Sequence, residues 1–136
     1  MSDKIQIHCL SKGLVVTLRK FGLAVATKRR NKIHIRNDMV LDITENNNFQ
    51  KLKYWGLVAK CEVEGQHIAG YWLLTTRGSL FLKNEIDMPK RVSTQDNHLQ
   101  DKSDEKVRIT DFYQGYREDY WQIDFSGVDL RQPVLF

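Results

Sequence analysis

The reading of the fold turns on Phe49-Gln50-Lys51-Leu52-Lys53-Tyr54-Trp55-Gly56-Leu57-Val58 and, after a short gap, on Gly70-Tyr71-Trp72-Leu73-Leu74-Thr75-Thr76-Arg77-Gly78-Ser79-Leu80-Phe81-Leu82. In the first stretch Phe49 and Leu52 share one side of a helix that runs to Trp55, and Gly56 stops it. Leu57–Val63 then has the composition of a strand, Glu64-Gly65-Gln66-His67 that of a turn, and Ala69–Leu74 that of a returning strand. Thr75 or Thr76 starts a further helix that offers Leu80, Phe81 and Ile86 to a core, and Pro89 ends the block.

Working towards the amino terminus, Asp42 or Thr44 caps the helix that holds Phe49, and a brief helical turn covers Asn37 to Leu41. Lys32-Ile33-His34-Ile35-Arg36 alternates polar with apolar and reads as a short strand, preceded by the basic turn Lys28-Arg29-Arg30-Asn31-Lys32. Residues 11–26 form a helix with Ser11 as N-cap, because Leu14, Leu18, Phe21 and Val25 recur at spacings of four, three and four. Gly22 on that helix leaves room for a neighbour to pack closely.

The order is helix, basic turn and strand, short helix, capped helix, hairpin, helix. This predicts an α+β fold of the winged helix-turn-helix kind over residues 8–92. The polar stretch 93–106 is expected to be a linker or loop. Residues 107–136, with Phe112, Tyr113, Tyr116, Tyr120, Trp121 and Phe125, are expected to form an aromatic-rich extension that packs on the domain or on a partner.

The two quoted stretches resemble winged helix regulators of the MarR/PadR type. They are closer still to uncharacterised bacterial and phage winged-helix-like proteins with a "FQKLRYWGL…GYW.LT..G..FL" pattern. In the regulators a recognition helix ends in a Gly-Leu-Val/Ile turn and enters the wing, here Gly56-Leu57-Val58, and leaves it through an LT..G step, here Leu74-Thr75-Thr76-Arg77-Gly78. The likeness covers residues 10–90. It implies duplex DNA binding, transcription regulation and a homodimer, with the aromatic extension as the interface. The wing departs from the regulators, since no Lys or Arg lies between Glu62 and Tyr71.

Charge is unevenly distributed along the 136 residues. Residues 1–55 hold eleven Lys and Arg against four Asp and Glu, a net of +7, whereas residues 93–136 hold five against nine, a net of −4. A basic half supplies the diffuse attraction that nucleic acid needs, although a charged tail also simply aids solubility.

On the helix that ends at Trp55, the side away from Phe49 and Leu52 displays Asn47, Gln50, Lys51 and Tyr54, and Asn46 and Asn48 near its start are placed to contact a phosphate backbone. Asn and Gln can hold adenine through two hydrogen bonds, Lys can donate to guanine, and Tyr can reach phosphate. Lys28, Arg29, Arg30, Lys32 and Arg36 are the densest basic cluster, suited to anchoring a phosphate backbone. The alternative for both sets is an ordinary solvated surface. A second reading of the whole is a non-catalytic adaptor, with Ile68 at the wing and the extension as protein contacts.

Other classes find little support. No apolar run is long enough for a membrane span, and the amino terminus lacks a signal-peptide pattern, so a cytoplasmic protein is expected. Cys9 and Cys61 are expected as two buried thiols. His8, His34, His67 and His98 are scattered, so neither zinc nor any other cofactor is expected. No nucleophile elbow or phosphate loop occurs, and Asp101, Asp104, Glu105 and Asp111 lie in a polar stretch unsuited to preorganised chemistry, so no enzyme is expected.

Overall fold

The computed structural model describes residues 4–113 and 122–131. Helix α1, Lys12–Lys28, begins at Ser11, whose hydroxyl accepts from the Leu14 N–H at 3.3 Å. Its buried stripe includes Leu14, Leu18, Phe21 and Val25, the periodic positions of the sequence. Gly22 lies on that stripe, where a β-carbon would fall 2.3 Å from Leu82 Cδ1, so its lack of a side chain lets the later helix approach.

Before α1, and separated from it by Leu10 and Ser11, strand β1 covers Gln6–Cys9. After it come strand β2, Ile33–His34, and helix α2, Ile43–Asn48. Between these two, the His34 N–H donates to Asp38 Oδ2 and the Asp38 N–H donates to the His34 carbonyl, which closes a tight turn. Asp42 rather than Thr44 is the N-cap of α2. Its carboxylate accepts from the Glu45 N–H at 2.7 Å and the Glu45 side chain accepts from the Asp42 N–H at 3.0 Å, a reciprocal pair that satisfies two orphan donors.

The expected single helix to Trp55 is in fact two. Winding tightens after Asn48, and Phe49–Trp55 is a 3-10 helix ended by Gly56 at φ 70°. Inward packing of three large apolar residues spaced by three accounts for the change. With three residues per turn, Phe49, Leu52 and Trp55 fall on one line, and all three are buried. The Trp55 indole N–H reaches the Pro89 carbonyl at 2.9 Å.

Strands β3, Val58–Val63, and β4, Gln66–Leu74, form an antiparallel hairpin. Its turn is confined to Glu64 and Gly65, both at positive φ, which suits the twist of a two-residue hairpin. That confinement makes β4 longer than the expected Ala69–Leu74. The first sheet runs β2-β4-β3. Helix α3, Thr76–Leu82, is capped by Thr75, whose hydroxyl accepts from the Gly78 N–H at 2.9 Å. Its inner face is Gly78, Ser79, Phe81 and Leu82, while Leu80 turns to the half-buried side.

Residues 93–106, expected as a loop or linker, are largely strand. β5 (Met88–Pro89) pairs with β8 (Lys106–Val107), and β6 (Arg91–Gln95) pairs with both β1 and β7 (His98–Lys102). Pro89 thus sits in a short strand, not merely at the close of a helical block. The second sheet, β1-β6-β7, crosses the boundary drawn at residue 92 and ties the first strand to the polar hairpin. The polarity misleads because β7 is exposed along its whole length, and only Val92 and Thr94 of β6 turn inward.

Of the carboxy-terminal segment, Ile109, Tyr113 and Ile123 are buried, and Phe112, Phe125, Val128 and Leu130 pack against the same core. Val107 belongs to β8 and Ile109 opens a short 3-10 turn, Ile109–Asp111. Tyr116, Tyr120 and Trp121 lie outside the described residues. Arg131 forms a parallel bridge with Thr75. Both thiols are free, Cys61 buried but Cys9 exposed, contrary to expectation, since β1 is an edge strand. The molecule is therefore a mixed α+β fold with antiparallel sheets. No helix among the described residues is long and apolar enough to cross a membrane.

Candidate nucleic-acid interface

The 3-10 winding sorts the expected interface into separate faces. Residues three apart eclipse one another in such a helix, so with Phe49, Leu52 and Trp55 inward, Gln50 and Lys53 make a second line and Lys51 and Tyr54 a third. Traced back one turn, the second line meets Asn47 and the third meets Asn48. The surface follows this division. Asn46, Asn47 and Gln50 line an open groove of about 440 Å³ together with His34, Arg36 and Trp72. Asn48 and Lys51 line a different pocket, beside His8 and Cys9 of β1.

Tyr54 is committed elsewhere too. Its ring stacks on His8 with centroids 4.9 Å apart, and its hydroxyl lies 3.2 Å from Asn97 Oδ1 in the β6–β7 turn. His8 Nε2 in turn lies 2.9 Å from the Thr94 hydroxyl. Burial, and then the nearby Lys51 ammonium, push the His8 imidazole below its ordinary value. Lys51 and Tyr54 thus belong to the junction with the second sheet, not to the groove.

Within the groove, Asn47 and Gln50 are exposed and Asn46 is half-buried. Asn46 Oδ1 is buried without a hydrogen-bond partner among the described residues. Arg36 is exposed and lines the same groove. Its position is set by His34, whose Nδ1 accepts from the Arg36 N–H at 3.2 Å and the Asn37 N–H at 3.1 Å.

The His34 ring occupies the space over Gly70. A β-carbon there would fall 2.4 Å from Nε2, and φ at Gly70 is 82°. Neither His34 nor Gly70 emerged from the sequence as part of the site. A glycine that interrupts the apolar and aromatic strand Ile68–Leu74 was the available signal, since such a glycine marks the close approach of another group.

The basic turn is less free than its charge count implies. Arg29 holds the Asp124 carboxylate at 3.1 Å and also donates to the Asp124 and Ser126 carbonyls. Arg30 pairs with Asp38 Oδ1 at 2.9 Å and donates to the Lys32 carbonyl. The His34 N–H, and then the Arg30 guanidinium, hold the Asp38 carboxyl below the usual carboxylate range. Lys32 sits 4.8 Å from the centroid of the Tyr71 ring. Lys28 and Arg36 are exposed, as are all five residues of the cluster.

Acidic Glu62 and Glu64 lie exposed toward the hairpin tip. Like charges of that kind repel a phosphate backbone, so the hairpin tip is not where such a backbone would rest. Compared with protein-family models, with curated proteins and with solved structures, the chain matches none.

Proposed function

We propose that this is a winged helix domain that binds double-stranded DNA without catalysis, through the groove where Asn46, Asn47, Gln50 and Arg36 converge. The observation that carries the reading is this convergence: two exposed amide side chains, a third with an unpartnered oxygen, and a guanidinium, around one opening. Amides and guanidinium are the groups that make paired hydrogen bonds to adenine and guanine edges. The winged helix assignment is supported by the order α1, β2, α2 with its 3-10 continuation, β3 and β4, and by the sheet order β2-β4-β3. In this reading Lys28 and Lys32 flank the groove as backbone anchors, while Lys51 and Tyr54 have no part in it. Transcription regulation from a cytoplasmic homodimer is the setting this function fits.

The test is fluorescence anisotropy of the protein against random duplex DNA at two salt concentrations. Asn47→Ala and Gln50→Ala should each weaken binding to a selected site by about 1–3 kcal/mol. Arg36→Ala should lower the slope of log K against log salt by about 1. Lys51→Ala should leave sequence preference unchanged. Equal losses from Lys51→Ala and Gln50→Ala would discard the groove as the interface.

One observation favours a second reading. Val40 and Ile43, 89% and 81% exposed, lie beside the same groove, where they line a shallow pocket with Met39 and Asn46. Bare aliphatic side chains in that position suit a protein partner. Absence of DNA binding at low salt would transfer the groove to that adaptor function.

A further inference from the structure

We propose that a second cleft, at the opposite edge of the first sheet, binds a small anion, a phosphate or carboxylate carried on a compact apolar body. The cleft holds about 320 Å³ and gathers Lys53, Lys60, His98 and Arg131 from four separate parts of the chain. Lys53 comes from the 3-10 helix, Lys60 from β3, His98 from the start of β7, and Arg131 from the bridge to Thr75. Arg131 is held in place by its backbone, which donates to the Leu74 carbonyl at 3.0 Å and accepts from the Thr76 N–H at 2.8 Å. Lys60 is fixed in register opposite Trp72, next to the bulge in β3.

Three basic side chains, Lys53, Lys60 and Arg131, are thus brought to one opening, and none of them takes part in an ion pair among the described residues. Elsewhere the fold does supply carboxylates: Lys20 has Glu45, Arg29 has Asp124, Arg30 has Asp38, and Lys90 and Arg91 share Glu105. Glu62 lines the cleft but pairs with none of its cations. Gathering like charges costs free energy that an oxyanion lying among them returns. Burial first, and then the adjacent Lys60 ammonium, pull Lys53 below its ordinary value, the direction expected of a cation crowded by another.

The ligand class follows from the lining. The lysine, histidine and arginine residues of the lining suit phosphate or carboxylate oxygens. Val58 and Leu99 contribute apolar surface, so the rest of the molecule should be apolar. The volume suits a small molecule, near the lower end of the range for ligand pockets. Sheet order β2-β4-β3 puts this cleft at the β3 edge and the Arg36 groove at the β2 edge, so the two sites are separate and this inference does not rest on DNA binding.

The experiment is amide chemical-shift mapping of the full chain with two probes, inorganic phosphate and phenyl phosphate, at constant ionic strength set with chloride. Saturable shifts at Ala59, Lys60 and Leu99 are expected, with phenyl phosphate several-fold tighter. Lys60→Gln and Lys53→Gln should each weaken binding about tenfold or more, the loss of a charge-assisted contact. Lys106→Gln, which removes the same charge outside the cleft, should change nothing, and each variant's unperturbed spectrum reports that it is folded. Absence of saturable shifts overturns the proposal, as does equal weakening by Lys106→Gln, which would mean net charge alone. A duplex that shifts the same amides and displaces phenyl phosphate overturns the small-molecule assignment and makes the cleft a backbone contact.

Discussion

Replacing Gly78 by alanine sets two opposing effects against each other inside α3. In an exposed helix interior the change stabilises by about 1 kcal/mol, because glycine loses more backbone freedom on folding. Here a β-carbon would fall 2.3 Å from the Leu57 carbonyl oxygen and 2.8 Å from Leu74 Cδ1. Ordinary contact begins near 3.4 Å, so the first shortfall is about 1.1 Å. The oxygen cannot retreat cheaply, since the Thr75 N–H donates to it at 3.2 Å and the Thr75 hydroxyl lies 2.9 Å away. Overpacking of this kind costs about 1–3 kcal/mol, and disturbing the Thr75 cap adds about 1 kcal/mol.

Set against the propensity gain, the net for Gly78→Ala is a loss of about 2 kcal/mol, or roughly 6–10 °C in Tm for a chain of this size. Urea unfolding should show a lower midpoint at unchanged slope. Gly13→Ala is the matched comparison. Its β-carbon meets nothing nearer than Ser11 Oγ at 3.8 Å, so the same substitution should leave stability unchanged or raise it by up to about 1 kcal/mol. A Gly78→Ala protein as stable as the parent would refute the close approach of α3 to the β3–β4 hairpin, and with it the packing that places the 3-10 helix.

Other outcomes follow from single contacts. Asp42→Ala removes the reciprocal cap of α2 and should cost about 1 kcal/mol in urea unfolding. Asn31→Ala leaves the Leu74 N–H without its acceptor at 2.7 Å, and the Leu74 and Asp129 carbonyls without the side-chain amide that donates to both. A loss of about 2 kcal/mol is expected in the same assay. His8 titrates below its ordinary 6.5 in the folded state, so between the two values the unfolded chain binds more protons. Its contribution to stability is therefore complete above 6.5 and declines as pH falls through the folded value. His8→Asn should flatten that part of the stability–pH profile, and an unchanged slope would count against the stacked, half-buried imidazole.

The parts legible in the sequence are those where a local rule and the tertiary packing agree. Leu14, Leu18, Phe21 and Val25 announce a helix and are its buried stripe, and Ser11, Gly56 and Thr75 mark ends where ends occur. The 3-10 helix was hidden because Phe49, Leu52 and Trp55 at intervals of three fit either winding, and only the inward packing of all three selects the tighter one. Strand β1 was hidden because its apolar residue Ile7 faces outward and its pairing spans 86 positions, as between Ile7 and Ser93. The candidate site suffered from the same ambiguity. An α-helical wheel groups Lys51 and Tyr54 with Asn47 and Gln50, whereas a three-residue turn separates them. Positive charge in 28–36 was plain, but which guanidiniums were spoken for depended on Asp38 nearby and on Asp124 far along the chain.

The Leu74 peptide is joined on one side to Asn31 and on the other to Arg131, 57 positions later. On a ribosome adding about 5–20 residues per second, that interval lasts roughly 3–11 s. Throughout it the β3–β4 hairpin exists without the segment that finishes its end, and for most of it Arg29 exists without Asp124. The first half of the chain therefore emerges strongly cationic, beside the polyanionic RNA of the ribosome, before its own acidic half has been made. The late segment thus acts as an internal counterion as well as a seam, and the nascent protein is most exposed to stray polyanions before that segment has been made.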